Sequence, residues 1–256
     1  MKTRIKNLSK MMKPHQLILL FALAQLLVGC VDEKPNMEAM LTMDISASYE
    51  RKDLQSTDEI YSHLLKLLEI EEADAFVRNG IIVYSSNLGH SSRPKISKLV
   101  LKPAGHWIAT HSKKREEEIQ AYKSELYKMI EDWLESASDQ GASHLHCGLA
   151  HQLRMLKKSD FGREKYLLAF TDGIQSSPEV DFSDYKDQKE QFKRDFDRIS
   201  KKLNQVCPLP DDLSGIELVF VNSPQASNDV FLRVSDAFWY QHFGRTGVGM
   251  DILSNL

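Results

Sequence analysis

Two hydrophobic periods alternate along this chain, one suited to strands and one to helices. Met40-Leu41-Thr42-Met43 reads as a strand running into Asp44. Ile60, Leu64, Leu67 and Leu68 fall at i, i+4, i+7 and i+8, one face of a helix. Asn79-Gly80 then precedes Ile81-Ile82-Val83-Tyr84, and Ile96 to Leu101 is a second short apolar run closed by Pro103. The pair predicts a hairpin across a polar loop, Ser85 to Pro94. Tyr122, Leu126, Met129, Ile130 and Trp133 repeat at helical spacing with Lys and Glu opposite, and Leu145, Leu149, Leu153 and Leu156 mark the next helix. Tyr166 to Phe170 is continuously apolar, as in a strand buried on both faces. Phe192, Phe196, Ile199 and Leu203 predict one further helix, Ile216 to Val221 another buried strand. Phe231, Val234 and Phe238 suggest a last helix, and Met250 to Leu253 a short final strand.

Strands alternating with helices predict an α/β fold in three layers, Rossmann-like, with a mostly parallel central sheet, one antiparallel edge strand and flanking helices. In such sheets ligands sit beyond the carboxyl ends of the strands, where the strand order reverses. The residues just after each apolar run are therefore the first to inspect.

The amino end follows a different logic. Lys2, Arg4, Lys6, Lys10 and Lys13 precede an apolar stretch from Leu17 to Val28, broken only by Gln25. A membrane span needs roughly 20 apolar residues, so this stretch is short for one. It ends Leu27-Val28-Gly29-Cys30, which resembles a bacterial lipobox. Residues 1–29 are thus expected to be a lipoprotein signal peptide, with lipidation at Cys30. Residues 30–37 form a short polar tether and 38–256 a single domain. Val31, rather than an aspartate, follows the cysteine, which resembles the default signal for the outer membrane, periplasmic face, of a Gram-negative cell.

Processing changes the charge. The chain has 33 basic and 36 acidic residues; losing the five basic residues before Cys30 leaves 28 against 36, a formal charge of −8. That argues against nucleic acid as a partner, since its backbone calls for clustered Lys and Arg. Cys147 and Cys207 remain after lipidation; they either pair in an oxidising envelope or stay as two buried thiols.

Candidate chemistry lies at the strand ends. Asp44-Ile45-Ser46-Ala47-Ser48 follows the first strand, and Thr171-Asp172-Gly173 follows the strand at 166–170. Gly141-Ala142-Ser143 opens a helix between them. In these motifs and their order, roughly residues 38 to 256 resemble the von Willebrand factor A (vWA) family. The resemblance implies a metal-ion-dependent adhesion site built from Asp44, Ser46, Ser48, Ser143 and Asp172, with Ser143 where the family usually has Thr. Mg²⁺ or Mn²⁺ is the implied ion, since a hard cation prefers hydroxyl, carboxylate and water oxygens. Gly173 allows a sharp turn beside it, and His144 would sit on the rim. In the family the open coordination position takes an Asp or Glu of a protein partner, so the resemblance implies binding and not catalysis.

Three functions are weighed. The leading one is a membrane-anchored, cation-dependent protein-binding module of the cell envelope. A second is a scaffold subunit of an envelope secretion or conjugation assembly, with a vestigial metal site. A metallohydrolase is third; it would need a base such as His144. Glu50 and Asp53 are read as a solvated helix start, with a second cation as the sharper alternative. His144, His146, Cys147 and His151 include zinc-type ligands. On a helix only Cys147 and His151 have i, i+4 geometry, and two ligands do not complete a zinc site.

Overall fold

Every strand the hydrophobic pattern predicts enters one sheet. The computed structural model describes residues 36–44, 55–71, 77, 79–88, 96–104, 112–136, 144–222 and 230–253. All of them belong to the second of two compact units, Met1–Lys34 and Pro35–Leu256. The predicted signal segment and Cys30 lie outside the described residues.

The strands are β1 (Met37–Asp44), β2 (Ile81–Leu88), β3 (Ser97–Leu101), β4 (Glu164–Phe170), β5 (Ile216–Val221) and β6 (Gly249–Leu253). Their order across the sheet is β3-β2-β1-β4-β5-β6. All neighbours are parallel except β2 and β3. The helices are α1 (Thr57–Leu67), α2 (Ser112–Glu135), α3 (Leu145–Lys158), α4 (Lys189–Arg194), α5 (Phe196–Val206) and α6 (Val230–Gly244). The fold is thus α/β, with a mostly parallel sheet, one antiparallel edge strand and helices on both faces.

Alternate residues of each strand serve opposite cores, the consequence of a period of two. Ala39, Leu41 and Met43 of β1 pack with Leu168 and Phe170 of β4 beneath α1 and α2. Met40, Leu167 and Ala169 point the other way, into a core built from α3 to α6. Helix α1 starts at a capping box: Ser56 Oγ accepts the Glu59 N–H at 3.3 Å, and the Glu59 carboxylate accepts the Ser56 N–H at 2.8 Å.

Two elements differ from the sequence-based expectation. The hairpin loop does not begin at Ser85, because β2 runs on to Leu88, paired with β1 along its whole length. Ser86 is tolerated there because its hydroxyl is satisfied. Gln152 of α3 donates to both Ser86 Oγ (2.6 Å) and Thr42 Oγ1 (2.9 Å) inside the core. The helix expected through Phe192 and Leu203 is two, divided at Asp195, which has φ −83° and ψ 2°. Phe192 and Phe196 keep i, i+4 spacing across the break, so the hydrophobic period passes through it unmarked.

Candidate metal centre

Two strand ends far apart in the chain meet where the sheet changes direction. From β1 the chain moves outward to β2 and β3, then returns to place β4 on the other side of β1. In α/β sheets ligands bind at such a switch point, beyond the carboxyl ends of the strands. Met43 pairs with Phe170, so Asp44 and Thr171 emerge side by side. Asp44 is 1% exposed and Asp172 7%. Thr171 Oγ1 donates to Asp44 Oδ2 at 2.9 Å and accepts the Gly173 N–H at 3.0 Å. Asp172 Oδ1 accepts the Ile174 N–H at 2.9 Å.

The turn that carries Asp172 is fixed from two directions. Gly173 has φ 74°, a left-handed conformation that suits glycine. Its carbonyl accepts hydrogen bonds from Ser235 Oγ at 2.7 Å and Trp239 Nε1 at 2.8 Å, both on α6. From the other side, Gln175 Oε1 accepts the backbone N–H of His146 at 2.9 Å. That bond ties the Asp172 turn to the first turn of α3.

Acidic groups gather at these strand ends. Asp236 of α6 lies beside the turn; its Oδ1 is 3.6 Å from where a side chain on Gly173 would begin. Burial pushes the Asp236 carboxyl up to about 6; the nearby charge of Asp172 adds to this, and a 3.3 Å hydrogen bond from Asn222 Nδ2 opposes it. Asn222 Oδ1 is buried with no hydrogen-bond partner. The carboxylates of Asp44, Asp172 and Asp236 and the carboxamide oxygen of Asn222 are all oxygen donors. The donor set therefore fits a hard divalent cation, which binds carboxylate, hydroxyl and amide oxygens.

Of the residues assigned to the ion from sequence, Asp44 and Asp172 are brought together, with Gly173 in the same turn. Ser46, Ser48 and Ser143 lie outside the described residues, as do Glu50 and Asp53. His144 caps α3 and is half-buried. Among the described residues no group of three or more His, Cys, Asp and Glu side chains is placed to hold a metal. Sequence reasoning did not select Thr171 as a site residue, although it stands inside the motif. It also passed over Gln175, Asn222, Ser235 and Asp236, whose hydrogen bonds join separate elements around this turn. Trp239 is fully buried.

The histidine and cysteine cluster resolves differently. Cys147 is bonded to Cys207, with their Cα atoms 5.2 Å apart, so neither is available as a thiolate. His146 is buried and its Nε2 lies 2.8 Å from the Cys207 carbonyl oxygen.

No protein-family profile matches this chain, and no curated protein matches it. Several solved structures do. Proximal thread matrix protein 1 from the mussel byssus is 10% identical with a TM-score of 0.34, over 86% of this chain and 42% of that one. The pilus adhesin SpaC from Lactobacillus rhamnosus GG is 12% identical with a TM-score of 0.32, over 82% and 30%. The human COPII-coat protein Sec24c is 13% identical with a TM-score of 0.39, over 88% and 31%. The chain thus spans less than half the length of each, and likeness this distant assigns neither ligand nor partner.

Proposed function

We propose that this protein is a lipid-anchored binding module of vWA type, which uses a divalent cation to capture a protein partner at a bacterial envelope membrane. The observation that supports this most is the meeting of Asp44 with Thr171-Asp172-Gly173 at the switch point of the sheet. Asp44 and Asp172 supply charge to the ion, and Ser46, Ser48 and Ser143 supply neutral hydroxyls. Mg²⁺ or Mn²⁺ held this way is under-neutralised and keeps affinity for one more anionic oxygen, which an Asp or Glu of the partner provides. Thr171 holds the Asp44 carboxylate in place, and α6 holds the turn that presents Asp172. Acyl chains on Cys30 would supply stable membrane attachment, since more than one chain is needed for it.

The test is calorimetric titration of Mg²⁺ and Mn²⁺ into the full chain in lipid nanodiscs, beside Asp44→Asn and Asp172→Asn. Saturable binding by the parent, absent from both folded variants, is expected. A folded parent that binds neither ion, even with an acidic partner peptide present, overturns the reading in favour of a scaffold with a relic site.

A further inference from the structure

The two faces of the sheet are covered unequally. One face carries α3, α4, α5 and α6 across the middle of the sheet to β5. On the other, α1 and α2 cover β3, β2, β1 and the near side of β4. On that second face Val221, at the carboxyl end of β5, is buried in the same core, while the rest of β5 and β6 is less covered. Val219 is only half-buried there and Leu253 is 40% exposed. The result is a groove of about 450 Å³ beside α1, floored by Leu168 and Val219 and reaching Leu253. Parallel sheets are ordinarily buried on both faces, so apolar floor left open here is unusual for the fold.

The shape and charge of the groove select its occupant. What lies open is the face of the sheet, which in α/β folds is covered by helices; a strand would instead need the hydrogen-bonding edge of β6. Helix α1 already forms one wall, as a neighbouring helix would. The rims carry opposite charge. Lys66 stands exposed on α1, with His63 one turn before it. Glu217 and Asp251 stand exposed on β5 and β6 opposite.

We propose that this groove receives an amphipathic helix of a partner protein, seated beside α1 over β5 and β6, with acidic residues along the flank facing Lys66 and basic residues along the flank facing Glu217 and Asp251. Its apolar stripe, spaced i, i+3, i+4, i+7, covers Val219 and Leu253. This surface shares no residue with the ion site, so the two proposals stand or fall separately.

A fluorescent peptide of roughly 15 residues, about the length at which a free helix begins to hold, serves as the probe. It carries a leucine stripe with Glu on one flank and Lys on the other; a second peptide has the flanks exchanged. Anisotropy is read against the full chain in nanodiscs, with empty nanodiscs as control. The first peptide is expected to saturate and the exchanged one to bind about tenfold more weakly or worse. Leu253→Asp and Val219→Asp should each abolish binding, and Leu253 is exposed enough that its variant keeps the fold. Lys66→Glu combined with Asp251→Lys should invert the preference. Failure of both peptides to bind, equal binding of the two, or binding indifferent to the Asp variants overturns the proposal. Pairing of the chain with itself that Leu253→Asp abolishes would assign the groove to a second copy and overturns it as well.

Discussion

His146 Nδ1 and His242 Nε2 lie 3.2 Å apart in the core between α3 and α6. Their neighbours fix both tautomers. The Cys207 carbonyl can only accept, so His146 Nε2, 2.8 Å away, carries its hydrogen. His146 Nδ1 is then an acceptor for the His242 Nε2 hydrogen, and His242 Nδ1 accepts the Ser200 hydroxyl at 2.8 Å. A second proton on His146 would set two hydrogens against each other. His146 is therefore neutral, burial keeps His242 neutral as well, and one chain of hydrogen bonds joins α3, α5 and α6 beside the Cys147–Cys207 bridge.

This pair should make the protein acid-sensitive. Burial lowers both histidines: His146 to about 4, despite its carbonyl contacts, and His242 further, helped by the charges of His146 and Arg245. The unfolded rings protonate near ~6.5, so the unfolded state binds more protons than the folded one below that value. Stability contributed by the neutral pair is complete above pH ~6.5 and is lost as pH falls toward about 4. For His146 alone the loss at about pH 5 is roughly 2 kcal/mol. Urea unfolding at about pH 7.5 and about pH 5 should show a drop of this order. His242→Phe should be less stable than the parent at the higher pH but lose less on acidification. An equal pH dependence in parent and variant would contradict the assignment.

Reduction of the bridge should weaken the same corner. Cys147 and Cys207 are separated by 60 residues, and closing a loop of that size restricts the unfolded chain by about 4 kcal/mol on the chain-entropy account. Replacing both cysteines by serine should lower unfolding stability by up to that amount. Dithiothreitol should produce the same shift in the parent and none in the double variant.

How far the sequence could show this architecture depends on the range of the interactions. Asp44 and Asp172 were legible because each ends a run of apolar residues, and strand ends are where α/β sheets keep their chemistry. The parallel sheet followed from alternating periods, since each period records burial along one element. Asn222 also follows an apolar run, but nothing local marks its link to Asp236, which stands in a helix and meets it only because β5 and α6 pack together. Glu38 shows the same limit inside a strand. It looks like an exposed polar residue next to Met40, yet it is fully buried, with Ser159 Oγ donating to it at 2.5 Å and Lys165 4.0 Å away. Such pairings form across 121 residues or more and leave no local period.

Thr171→Val tests whether a hydroxyl couples the two strand ends. The side chains are nearly the same size, so packing is kept while Asp44 Oδ2 loses a donor and the Gly173 N–H loses its acceptor. Asp44 keeps other contacts, so the group left orphaned is the Gly173 N–H, at a cost of about 1–3 kcal/mol. Chemical denaturation should show a loss in that range, and Thr171→Ser should recover most of it. Under the proposed function, Mn²⁺ affinity should fall in Val and return in Ser.

Gly173→Ala and Gly148→Ala should fail for opposite reasons, and one further substitution separates them. At Gly173 an added Cβ would meet nothing closer than Trp239 Nε1 at 3.5 Å, which is ordinary contact. Its cost is conformational, from φ 74°, roughly 1–2 kcal/mol. At Gly148 the backbone is helical, and the Cβ would fall 2.3 Å from Leu88 Cδ2, at the buried end of β2. That cost is overpacking, typically about 1–3 kcal/mol. Leu88→Ala opens space against Gly148→Ala, so the double variant should be more stable than the sum of the two single losses allows. The same Leu88→Ala change should add to Gly173→Ala without relief. Unfolding free energies of the two double-variant cycles decide between strain in the backbone and crowding in the core at each glycine.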